Sequence, residues 1–312
     1  MKTLGNIFKK LIRFLRPRSD LYLFGSSILW GQGHEGRDKI GRRTADWIED
    51  HFRERVKIHL MAHSGAFLTG DPADPSKRLH GEVPSPWPSV LEQIRTAREP
   101  GGRKVRIIVE GGINEVGGGR ISSPTTSARY LESATKAACY VTLGKVLTEL
   151  SERFPEAEIY VLGYYQILAD RAKRDEVEGL LKEEGITPGE IDEADFDLRE
   201  RAVENSRRFH ELSDHWIGKA VAETAAKHKG SCKFVASGFE EWEGMFGERS
   251  LVFSPWTRDA MRGKRARLCT MAIARGRTGL HCYLAATAHP NRAGMERYVS
   301  QITTAMAGSG RG

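Results

Sequence analysis

Apolar and aromatic residues fall into five short runs, each closed by glycine or by polar residues, and longer stretches of helical periodicity lie between them. The runs are Leu21 to Phe24, Val56 to Ala62, Val105 to Val109, Ile159 to Leu162 and Cys232 to Ala236. They are too short for buried helices and are rich in β-branched and aromatic side chains, so they predict buried strands. The first closes at Gly25 before Ser26 and Ser27, the second at His63-Ser64-Gly65, the third at Glu110-Gly111-Gly112-Ile113-Asn114 and the fourth at Gly163.

The segments between them read as helices. Ile40, Ala45, Trp47 and Ile48 alternate with charges over 37–53, a short helix is expected near 89–98, and 127–153, 171–185 and 198–228 carry longer helical patterns. A last helix begins near Pro290 and Asn291 and carries Met295, Tyr298, Val299 and Ile302. Residues 69–88 hold five prolines and read as an irregular loop, and Gly189 to Asp197 as an acidic turn. Strands alternating with helices predict a parallel sheet with right-handed crossovers, hence a three-layer α/β/α fold of about five strands in flavodoxin-like order. Ser27, Gly65 and Asn114 follow three different strands, and that topology brings them to one edge of the sheet, where open α/β sheets bind ligands.

Leu4, Ile7, Phe8, Leu11, Ile12 and Leu15 recur at helical spacing, with Lys9, Lys10, Arg13 and Arg16 on the opposite face. This predicts a basic amphipathic helix within 1–18, then one domain over 19–307 and a flexible tail at 308–312. Of the net charge of +7, six positive charges sit at Lys2, Lys9, Lys10, Arg13, Arg16 and Arg18, where no acid offsets them. The rest of the chain is near neutral, which argues against a nucleic-acid-binding face. The 1–18 helix suits either an anionic membrane surface or docking on the domain. No apolar run reaches the roughly 20 residues of a membrane span, and the basic N-terminus does not read as a secretory signal. The expectation is a cytoplasmic protein, peripheral at the membrane through residues 1–18.

The four cysteines, Cys139, Cys232, Cys269 and Cys282, form no CxxC and read as reduced thiols, although their even count leaves a disulfide open. The histidines show no metal-ligand spacing, so neither metal nor cofactor is expected. Gly31-Gln32-Gly33-His34-Glu35-Gly36 is a literal GxGxxG, but it starts six residues past Gly25 and the second strand closes without an acid, so a dinucleotide site is not expected.

Gly25-Ser26-Ser27-Ile28 with Gly31, then Gly65, then Gly112-Ile113-Asn114-Glu115, then His289-Pro290-Asn291, resemble the four ordered blocks of the GDSL/SGNH hydrolases and span nearly the whole chain. The resemblance implies the SGNH hydrolase fold and a metal-independent serine esterase, lipase or deacetylase. Ser27 would be the nucleophile, His289 the base, and the backbone N–H of Ser27 and Gly65 with the Asn114 amide the oxyanion hole, the three components that acyl transfer requires. The chain departs from the pattern twice. Ser26 stands where the family usually has Asp, and Ala286 where it usually has the Asp that orients the histidine. A backbone carbonyl, Glu115 or a residue of 240–262 could take that second role. The other reading is a catalytically impaired pseudoenzyme or ligand-binding module that keeps the pocket.

The substrate expectation is a lipid or other small ester, or an acetylated carbohydrate. Phe239, Trp242, Met245, Phe246, Phe253 and Trp256 are candidate walls of an acyl pocket, and 171–197 a candidate lid. If the His289 imidazole is the base, activity falls as pH drops through its pKa, about 6.5 when unperturbed.

Overall fold

The computed structural model describes residues 16–70, 79–101, 103–183, 197–273, 282 and 284–308. The basic helix read within 1–18 lies almost wholly outside these residues, as do the acidic turn from 189 to 196 and the tail after 308. Five strands form one sheet: β1 (Arg18–Phe24), β2 (Arg55–Leu60), β3 (Lys104–Val109), β4 (Glu158–Leu162) and β5 (Ser231–Val235). All neighbours are parallel and the order is β2-β1-β3-β4-β5, the flavodoxin-like order that the alternating pattern predicts. Leu23 of β1 pairs with Leu60 of β2 and Ile108 of β3, so these three strands run out side by side.

Leu21, Leu23, Phe24, Ile107, Ile108, Val109, Ile159 and Val161 are fully buried, whereas β2 and β5 are partly open. Central strands covered on both faces need unbroken apolar runs, and edge strands do not. The helices are α1 (Ser27–Trp30), α2 (Ile40–His51), α3 (Val90–Thr96), α4 (Ile113–Val116), α5 (Gly118–Ile121), α6 (Ala128–Lys136), α7 (Leu143–Arg153), α8 (Arg174–Glu183), α9 (Leu198–Ala225), α10 (Arg262–Ile273) and α11 (Arg292–Ala307). Helices α2 and α11 pack together on one side of the sheet, while α6, α7 and α9 pack together on the other. The side chains of Ser89, Ser127, Asp197 and Asn291 cap α3, α6, α9 and α11, each accepting from a backbone N–H that the helix leaves unmatched.

Two features depart from the sequence reading. Helix α10 was not expected, because RGKRARLCT has no apolar stripe to mark a helix. Its Cys269 is joined to Cys282 in a disulfide with the Cα atoms 5.8 Å apart, so two of the four thiols read as reduced are paired. Cys139 and Cys232 are free and buried. Among the described residues no helix is long and apolar enough to cross a membrane.

Candidate active site

Strand β1 ends at Gly25, where a Cβ would lie 2.8 Å from Glu110 Oε1. The chain must therefore leave the sheet on a residue without a side chain. Ser26 follows, and Ser27 opens the single turn α1 with only 5% of its surface exposed. From the far end of the sequence, His289 Nε2 lies 2.6 Å from Ser27 Oγ. His289 Nδ1 lies 2.9 Å from the Thr287 carbonyl oxygen. A carbonyl can only accept, so Nδ1 carries the proton and Nε2 is left to accept from the Ser27 hydroxyl.

His289 is held by its backbone. Its carbonyl accepts from Phe253 N–H at 2.8 Å, the Ala288 N–H donates to the Phe253 carbonyl at 2.9 Å, and Asn291 N–H donates to the Leu251 carbonyl at 2.7 Å. Tyr165 donates its hydroxyl to the Ala288 carbonyl at 2.6 Å. Ala288 has φ of 61°, a left-handed conformation that a non-glycine residue keeps only where its surroundings impose it. With Ala286 unable to orient the ring, the Thr287 carbonyl does so. Glu115 is spent on the Leu68 N–H, and in the 240–262 segment Asp259 pairs with Arg265.

Gly65 has φ of 75°, and a Cβ there would fall 2.7 Å from the Ser85 nitrogen, so only glycine fits. One hydrogen of the Asn114 amide donates to the Ala66 carbonyl at 2.8 Å, which fixes the side chain and leaves the other hydrogen. Ser27, Gly65, Asn114 and His289 all line one cavity of about 260 Å³. Its walls include Ile28, Ile113, Ile167, Leu180, Met245 and Leu284, and among the described residues it has no Asp, Glu, Lys or Arg.

The walls differ from those read in the sequence. Of the six candidates only Met245 lines the cavity. Phe239 stacks on Tyr165, Phe246 contacts Trp256, Phe253 packs on His34, and Trp242 is exposed. Helix α8, inside the segment read as a lid, supplies Leu180.

A buried charge cluster lies behind this wall. Arg265 of α10 reaches Glu82 at 2.8 Å and Asp259 at 2.5 and 3.1 Å, and all three are buried. Glu82 also accepts from Trp30 Nε1, Gln32 Nε2 and Gly33 N–H. The glycines of the GxGxxG thus shape a turn packed on Glu82, with φ of 74° at Gly31 and 82° at Gly33. Burial pushes the His289 imidazole down to about 4, the hydrogen bond to Thr287 opposes this, and the Arg265 charge adds to it. The sequence offered only the ordinary value for such a ring; partial burial near a guanidinium disfavours the imidazolium. Glu110 was legible only as the polar end of β3, and it is completely buried; burial raises its pKa while hydrogen bonds from Ser26 hold it down.

No protein-family model matches the sequence, and a search of curated proteins finds no relative. Solved structures do match. An extracellular lipase from Streptomyces rimosus is 14% identical, with 92% of this chain and 99% of that one covered at a TM-score of 0.52. A phospholipase A1 from Streptomyces albidoflavus is 14% identical over 92% of this chain and 98% of that one at 0.49. A carbohydrate acetylesterase family member from Sinorhizobium meliloti is 10% identical over 92% and 97% at 0.45. The chain therefore has the three-layer α/β/α fold of the Streptomyces rimosus lipase, the SGNH hydrolase fold that its four sequence blocks imply.

Proposed function

We propose that the chain is a metal-independent serine hydrolase of carboxylic esters. The observation that carries this reading is the 2.6 Å contact between Ser27 Oγ and His289 Nε2 at the wall of a cavity that also holds Gly65 and Asn114. The Ser27 oxygen attacks the ester carbonyl carbon as its proton passes to Nε2. The oxygen of the tetrahedral intermediate then faces the Ser27 and Gly65 N–H groups and the second Asn114 amide hydrogen. His289 returns its proton to the departing alkoxide, and water repeats the sequence on the acyl-enzyme to release the acid. The Thr287 carbonyl holds the ring tautomer throughout, so the loss of Asp at position 286 leaves a working dyad.

The uncharged, apolar lining favours an acyl chain over a sugar in the cavity. At roughly 30 Å³ for a water-sized group, 260 Å³ takes about eight or nine such groups. A hexanoyl to octanoyl chain fills it and an acetyl group leaves most of it empty. The fold shared with the Streptomyces rimosus lipase agrees with a lipid-like ester. Attachment of residues 1–18 to an anionic membrane belongs to the same proposal, and a chain beginning at Ser19 should lose binding to anionic vesicles while keeping its fold. The Cys269–Cys282 bond would persist in an oxidising compartment, whereas a cytoplasmic location would reduce it.

The test is hydrolysis of p-nitrophenyl esters from acetate to palmitate by the unmodified protein, Ser27→Ala and His289→Ala. Turnover by the first and its loss in both variants supports the hydrolase. No turnover, with Ser27 untouched by a fluorophosphonate, supports the binding module instead.

A further inference from the structure

The first turn of a helix leaves N–H groups unmatched, and the residue before it normally accepts from one of them. Ser26 holds that position before α1 and makes no such bond. Its hydroxyl instead donates to Glu110, at 2.9 Å from Oε1 and 3.1 Å from Oε2, and its N–H donates to Oε1 at 2.6 Å. Glu110 thus anchors the residue that starts α1 from the end of the neighbouring strand, where its own N–H donates to the Phe24 carbonyl at 3.1 Å. Gly25 has no Cβ where one would lie 2.8 Å from Oε1, so the turn is shaped around the carboxylate.

The same carboxylate reaches the other half of the site. Tyr164, just past β4, donates its hydroxyl to Glu110 Oε2 at 3.3 Å, and the Tyr164 oxygen accepts from the Ile113 N–H at 3.3 Å. Ile113 opens α4 immediately before Asn114. Donors from the ends of β1 and β4 therefore converge on one buried group at the end of β3. The Ser27 N–H follows the anchored Ser26 N–H and has no protein acceptor among the described residues.

We propose that Glu110 is the positioning residue of this site: it fixes the turn that presents Ser27 Oγ and N–H, and through Tyr164 it sets the distance from that turn to Asn114. It touches no substrate. In Glu110→Gln the NH₂ faces the Ser26 and Tyr164 hydroxyls in place of an acceptor, so the Tyr164 oxygen, which already accepts from Ile113, must turn its hydrogen away and the spacing to Asn114 changes; a displacement near 1 Å at reacting atoms costs about 100-fold in turnover.

The kinetic arm rests on the ester-hydrolase reading; the structural arm does not. Glu110→Gln should lower kcat about 100-fold with KM within about twofold, because ground-state binding uses the apolar walls. Tyr164→Phe, which leaves Ser26 anchored, should lower kcat by about three- to tenfold and keep the protein folded if Glu110→Gln does not fold. Adding Ser26→Ala to Glu110→Gln should cost less than about twofold more, as expected for residues acting as one unit. In the crystal structure of either single variant, Ser27 Oγ to His289 Nε2 or Ser27 Oγ to Asn114 Nδ2 should lengthen. Unchanged distances, or a rise in KM that follows a loss of thermal stability, would overturn the proposal. An unmodified protein that hydrolyses nothing, combined with displaced atoms in the variants, would overturn the esterase reading and leave the positioning role standing.

Discussion

The acid limb of the pH profile follows from the surroundings of His289. Only the neutral ring can accept the Ser27 proton, so activity tracks the fraction of His289 that is unprotonated. An ordinary histidine, with a pKa of about 6.5, would be about 9% neutral at pH 5.5. With burial pushing the ring down to about 4, the neutral fraction at pH 5.5 is about 97%. The profile of kcat/KM for an uncharged ester should therefore stay flat from pH 8 to about 5 and fall with a midpoint near 4. Far-UV circular dichroism over the same range separates titration from acid unfolding. The sign for stability is the same. The unfolded imidazole binds its proton more tightly than the folded one, so stability is lost as pH falls between about 6.5 and 4, and the urea midpoint should decline over that window. A midpoint between 6 and 7 in both measurements would refute the reasoning, because it would mean that the ring is hydrated and that burial beside Arg265 does not govern it.

Asn114→Ala removes a side-chain donor of the proposed oxyanion site and should lower kcat by about 10² to 10³ with little change in KM, as read from steady-state kinetics. Along the p-nitrophenyl series, each methylene buried in the cavity contributes about 0.8 kcal/mol, so kcat/KM should rise about fourfold per carbon and level off near octanoyl; a maximum at acetate would count against the apolar lining as the acyl site. Replacing Cys269 and Cys282 by Ser opens a loop whose ends are 13 residues apart. That should cost about 3 kcal/mol, seen as a lower urea midpoint at unchanged slope, whereas an unchanged midpoint would argue against a bond in solution.

The sheet and its strand order were legible because β1 and β3 are buried on both faces and must be largely apolar, as Leu21 to Phe24 are and as Val105 to Val109 are apart from Arg106, which is buried against Glu54. Ser27, Gly65, Asn114 and His289 were read together because their ordered blocks resemble those of the GDSL/SGNH hydrolases; the structure brings all four to one cavity. Helix α10 was not, since its stability comes from Arg265 buried between two carboxylates and from a disulfide rather than from an apolar stripe. The cavity walls were misread because aromatic residues after β5 pack on Tyr165, Trp256 and His34, and no local pattern tells such packing from a lining. Glu110 marked the end of β3, but its partners are 54 to 84 positions away in sequence.

The partner of His289 Nδ1 is a main-chain oxygen, and every residue carries one. Replacing Thr287 by another amino acid leaves that oxygen in the chain, so the group that orients the base has no side chain to lose by point mutation. Nor does it ionise, so the acid limb of the site reports a single titration where an aspartate would couple two. Substitutions at position 286 or 287 therefore leave a histidine facing the same way. The vulnerable codons are those of the scaffold that bends the loop: Ala288, in its left-handed turn, and Tyr165, whose hydroxyl holds the Ala288 carbonyl.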